Sequence, residues 1–141
     1  MRNLIYWTVT LAILSFNIGC THSIASDSEK MLKLAAALTK LSSAVESTVN
    51  SDNPPLGISD SDLLTLATKH DPRILEPFAD YTVRVLSQDH HAILLVCTKD
   101  RKRGLLEDAG CSSKFDMHLW KEQPANECEF TLSPTVICNG N

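Results

Sequence analysis

Five cysteines, Cys20, Cys97, Cys111, Cys128 and Cys138, are the residues of this 141-residue sequence with the most chemistry to offer. A thiol can pair as a disulfide, ligate a soft metal or act as a nucleophile. No two of these cysteines stand in C-x-x-C spacing, so a thioredoxin-like redox pair is not expected, and neither is zinc, whose sites favour closely spaced pairs. With Cys20 set aside, an even number remains, and in a chain bound for an oxidising compartment that reads as two structural disulfides among Cys97, Cys111, Cys128 and Cys138. Four cysteines allow three pairings. The local one, Cys97–Cys111 with Cys128–Cys138, is favoured, because a small hairpin in the tail would bring Cys128 close to Cys138.

The histidines offer less. His90-His91 beside Asp89 is the densest set of candidate metal ligands. Adjacent side chains on extended backbone point to opposite sides, so a solvated turn is expected there. His118, two residues after Asp116, reads as a surface or core-edge histidine, and His70-Asp71 before Pro72 as helix punctuation. There is no G-x-S-x-G elbow, H-E-x-x-H or glycine-rich phosphate loop. Glu107-Asp108 is a carboxylate pair, but neighbours in sequence have no acid–base geometry by themselves. No catalytic residue, metal or cofactor is therefore expected. The alternative is a small secreted hydrolase or metal-binding protein using His90, His91 or His118. Lys99, Arg101, Lys102 and Arg103 form a basic cluster in an acidic chain, a candidate contact for an acidic protein, an envelope polymer or anionic headgroups.

Overall charge narrows the classes. Lys and Arg number 13 against 17 Asp and Glu, a net charge of -4, which excludes the basic field of a nucleic-acid-binding protein. Charged residues at 21% and hydrophobic residues at 43% fit one modest folded domain and not a disordered chain.

Met1-Arg2-Asn3 is a short basic start, followed by an uncharged apolar run from Leu4 to Phe16. That run falls short of the roughly 20 residues of a membrane span and has the layout of an export signal. Asn17-Ile18-Gly19-Cys20, with a small residue directly before a cysteine where the apolar run ends, resembles the lipobox of bacterial lipoprotein precursors. The resemblance covers residues 1–20. It implies acylation of Cys20 and a membrane-anchored protein on the periplasmic or outer face of the envelope. Ser23-Ile24-Ala25 is a competing site, at which cleavage before Ser26 would release a periplasmic or secreted protein. Loss of residues 1–19 removes Arg2 and no carboxylate, leaving the body one unit more negative.

The elements that must position these residues read as α+β. After a tether over 20–27, Ser26-x-x-Glu29 has the form of a capping box. Met31, Leu34, Leu38, Leu41 and Val45 then recur at helical spacing, which predicts a helix over 28–49. Asn50 to Pro55 breaks it, and a linker is expected over 50–57. The remaining core, 58–141, should hold a short helix from Leu63 to Lys69 and a further turn between Pro72 and Pro77. Strands are expected over 81–86 and 92–97, the second buried on both faces. Leu105 to Ala109 is a strand or a helical turn. Phe115, Met117 and Leu119 alternate as another half-buried strand, with a short helix as the rival, and a hairpin is expected to pair 129–132 with 135–138 around Ser133-Pro134. Two helices on a small antiparallel sheet with two disulfides is the expected architecture: an exported, lipid-anchored envelope protein with a binding or structural role.

Overall fold

A computed structural model describes residues 22–111, 115–117 and 127–138, with 22–27 and 115–117 as backbone only. The apolar leader, the lipobox-like segment with Cys20, and Leu119 of the expected fourth strand lie outside the described residues. The chain divides into two compact units, Met1–Met31 and Leu32–Asn141. In the first, the described residues are helical from His22 onward, the beginning of α1 (His22–Ser51). This helix starts earlier than the capping-box spacing predicts: the polar residues up to Glu29 are helical backbone and not its cap. The second unit holds the sheet and both disulfides.

From Leu32 onward α1 buries Leu34, Leu38, Leu41 and Val45, the predicted stripe, while Lys33 and Lys40 stay exposed. Val49 extends the stripe by one turn. Helix α2 (Asp60–Ala67) begins on Ser59, whose hydroxyl accepts the Asp62 N–H at 3.1 Å, with Asp60 and Asp62 in the positive first turn. A 3-10 segment, Pro72–Phe78, follows and buries Phe78. Proline opens it where a missing N–H costs nothing.

Four strands form an antiparallel meander in sequence order: β1 (Tyr81–Gln88), β2 (His91–Thr98), β3 (Gly104–Ala109) and β4 (Phe115–Met117). The β1–β2 turn is Asp89-His90, both at positive φ, as a two-residue type I′ hairpin requires. His91, expected in that polar turn, is instead the first residue of β2 and half-buried. Ala92 to Cys97 are fully buried, so both faces of β2 are covered as predicted. Leu105–Ala109, open between strand and helix in the sequence, is strand, and every residue of β3 is buried.

The two faces of the sheet carry different layers. Leu94 pairs with Asp108, and Asp108 is hydrogen-bonded by the Ser42 hydroxyl of α1. Arg84, Leu95 and Glu107 form the neighbouring cross-strand row, facing the opposite way. On that side Glu107 accepts from the Thr131 N–H at 2.9 Å, the Thr131 hydroxyl at 2.6 Å and the Leu132 N–H at 3.0 Å. Arg84 donates to the Cys128 carbonyl at 2.6 Å and lies 5.2 Å from the centre of the Phe130 ring. The tail thus lies across the sheet.

Here the structure corrects the expected tail hairpin. Pro134–Cys138 is a short helix, α3, with Pro134 buried as its first residue. Ser133-Pro134 serves as a helix start and not as a turn between strands. The N–H groups of Thr131 and Leu132, which a hairpin would spend on a partner strand, are taken by Glu107. The disulfides are corrected with it: Cys97 pairs with Cys128 and Cys111 with Cys138, interleaved and not local. The first is packed with Leu95 and Phe130 in the sheet–tail core.

The α1 layer can be tested at two positions. A Cβ on Gly110 would stand 2.6 Å from the Ser42 carbonyl oxygen and 2.5 Å from Glu46 Cβ, too close to fit without moving the helix. Gly110→Ala should therefore destabilise by about 1–3 kcal/mol in urea unfolding, with an unchanged m-value. Asp108 is buried and its Oδ1 has no partner among the described residues. Burial pushes its carboxyl above the ordinary value, against the opposing Ser42 hydrogen bond. The folded state then holds the proton more tightly than the unfolded one, so the ionised group costs stability at neutral pH. That cost is relieved as pH falls through the raised folded value to the ordinary one. Asp108→Asn should be more stable than wild type at neutral pH, with the difference closing on acidification.

Candidate functional site

Four elements meet around His91. The β1–β2 turn delivers His91 to the start of β2, and Cys111 follows directly after Gly110 at the end of β3. Cys138 is the last residue of α3, and Glu46 comes from α1. Glu46 Oε1 is 2.6 Å from His91 Nδ1, and Glu46 Oε2 accepts the Ala92 N–H at 2.6 Å. The second contact has a structural origin: β3 ends at Ala109, Gly110 N–H donates to the Ala92 carbonyl, and beyond that point the carboxylate takes the Ala92 N–H. Gly110 allows the helix to come this close. A ring nitrogen of His91 and the sulfurs of Cys111 and Cys138 lie within 4.8 Å of one another. The sulfurs are joined as a disulfide, and in that form they are poor metal ligands, since the thiolate is the ligating species.

The other candidates are dispersed. Asp89 and His90 are exposed in the turn, and His70 is exposed beyond the end of α2. His118 lies outside the described residues. Among the described histidines, His91 alone is drawn toward cysteine sulfurs. Glu107 and Asp108 point to opposite faces, so they do not act as a carboxylate pair.

Lys99, Arg101, Lys102 and Arg103 lie in the exposed β2–β3 turn. Its shape is built from Thr98 and Asp100. The Thr98 hydroxyl donates to Asp100 at 2.6 Å and accepts the Arg103 N–H at 3.2 Å, and Asp100 accepts the Lys102 N–H at 3.1 Å. The hydrogen bonds that Asp100 accepts, the Thr98 hydroxyl first, hold its carboxyl below the ordinary value. Arg101 takes a positive φ of 59°, which turns the chain back toward β3. Glu127 and Glu129 border the same surface, lining with Arg101 and Lys102 a shallow depression of about 430 Å³. A larger groove of about 600 Å³ lies between α1 and the 3-10 segment, with Ala36, Ala37, Ile74 and Pro77 as its apolar lining. Arg73 at its rim is paired with Asp71 at 2.9 Å.

Neither a protein-family model, nor a curated protein, nor a solved structure matches this chain.

Sequence reasoning missed Glu46, which reads as part of the solvated face of α1, and it kept His91 apart from the cysteines. One signal was available. Glu46 lies one position from the apolar stripe, at Val45, where a side chain borders the core and can reach a neighbouring strand.

The two disulfides differ in access. Cys97 and Cys128 are buried, whereas Cys111 and Cys138 are not. Under limiting dithiothreitol, mass-mapped alkylation should label Cys111 and Cys138 about tenfold or more ahead of Cys97 and Cys128, because thiolate attack needs a reachable sulfur. Equal labelling of all four would contradict this placement.

Proposed function

We propose that the chain is an exported cell-envelope protein, anchored through a lipid on Cys20 at the periplasmic or outer face, whose domain has a non-catalytic binding or structural role. The observation that carries the reading is the disulfide framework. Cys97–Cys128 and Cys111–Cys138 span 31 and 27 residues of sequence, and such bonds persist in oxidising compartments. They use every cysteine except Cys20, which stands at the end of the apolar leader. Among the described residues no helix is long and apolar enough to cross a membrane.

The binding surface in this reading is the turn Lys99, Arg101, Lys102 and Arg103. Its hydrogen bonds fix the backbone before any partner arrives, so little ordering entropy is lost on contact. The partner it suits is acidic, a protein segment or an envelope polymer.

Expression in a bacterial host with a labelled fatty acid tests the anchor. The wild-type chain should incorporate label and begin at an acylated Cys20 by mass spectrometry, and Cys20→Ser should abolish both. A mature chain beginning at Ser26, without label, would sink the lipoprotein reading.

A further inference from the structure

The geometry points to a redox-gated metal site: reduction of Cys111–Cys138 leaves two thiols that, with the His91 imidazole, bind one zinc ion. Two cysteines and one histidine are a zinc ligand set that leaves a fourth position for water. All three residues already converge: a ring nitrogen of His91 and the two sulfurs lie within 4.8 Å of one another. The sulfurs must separate from bonding distance to about 3.8 Å, the edge of a tetrahedron with zinc–sulfur bonds near 2.3 Å.

The histidine is oriented in advance. Its Nδ1 is engaged by Glu46 at 2.6 Å, which leaves Nε2 for the metal. A carboxylate behind a ligating histidine fixes the orientation of the ring. Glu46 is in turn fixed by the Ala92 N–H, so the support behind the ligand exists before the ion arrives.

Opening the bond does not free the tail. Residues 128–132 remain tied by the buried Cys97–Cys128 disulfide, by the three groups donating to Glu107, and by Arg84 on the Cys128 carbonyl. Cys138 is therefore kept near Cys111 after the bond between them is broken. Neither of these two cysteines is buried, so a reductant and an ion can reach them.

The chemistry balances with a dithiol as reductant. It gives two electrons and two protons to the Cys111–Cys138 bond and becomes a disulfide itself. Zinc then binds two thiolates and the neutral imidazole, releasing two protons from the thiols. In the oxidised protein the sulfurs are committed to each other and the site is closed.

The test uses the folded chain after limited reduction, with mass spectrometry confirming that Cys97–Cys128 is intact. Cobalt(II) serves as the optical probe and zinc as its competitor, both without added reductant and under anaerobic conditions. The expected result is one cobalt per chain with a thiolate charge-transfer band, displaced by zinc and absent from the oxidised protein. His91→Gln should weaken binding at least tenfold, and Glu46→Gln by about 10–100-fold. His90→Gln should bind as wild type. Circular dichroism should show the sheet retained on reduction. A missing charge-transfer band, unchanged affinity in His91→Gln, or loss of the sheet signal on reduction would each overturn the proposal.

Discussion

Two adjacent carboxylates on the central strand β3 decide how this domain is layered. Glu107 and Asp108 point to opposite faces because a strand alternates. Each is buried, and each binds a different layer: Asp108 reaches Ser42 of α1, and Glu107 collects the Thr131 and Leu132 groups of the tail. Buried carboxylates are expensive unless hydrogen-bonded, so the tail is the partner that allows Glu107 to be interior. Asp108 is less well provided, with one oxygen unpartnered among the described residues. The interior therefore contains one satisfied carboxylate and one that is raised in pKa by its burial.

The interleaved disulfides reinforce that arrangement. Cys97–Cys128 lies in the same sheet–tail layer as Glu107, with Leu95 and Phe130 around it. Removing a native disulfide of this kind typically costs about 2–5 kcal/mol. Cys111–Cys138 joins the end of β3 to the end of α3 at the surface, beside the Glu46–His91 pair. A buried bond holding the tail and an accessible bond beside a positioned histidine are two different devices. The first keeps the second in place when the second opens.

Much of the fold was legible because it rests on periodicity. Leu34, Leu38, Leu41 and Val45 announce the buried face of α1, and the unbroken apolar run from Ala92 to Cys97 announces a strand covered on both sides. Asp89-His90 and the charged stretch Lys99 to Arg103 mark the hairpin turns. The tail was not legible, since Ser133-Pro134 suits either a turn or a helix start. The decision belongs to Glu107, some 25 residues away in sequence. The disulfide pairing was hidden for the same reason: it depends on where the tail crosses the sheet. The His91 site was hidden because its members come from four separate elements, so no local spacing links them.

The tail crosses the sheet and closes interleaved bonds, and disulfide mapping tests this most directly. Lys and Arg residues separate Cys97, Cys111 and Cys128, and Glu129 separates Cys128 from Cys138, so trypsin followed by a glutamate-specific protease isolates each cysteine. Non-reducing mass spectrometry of that digest should find the Cys97 peptide linked to that of Cys128, and the Cys111 peptide linked to that of Cys138. Linkage of Cys97 to Cys111 and of Cys128 to Cys138 would contradict the account.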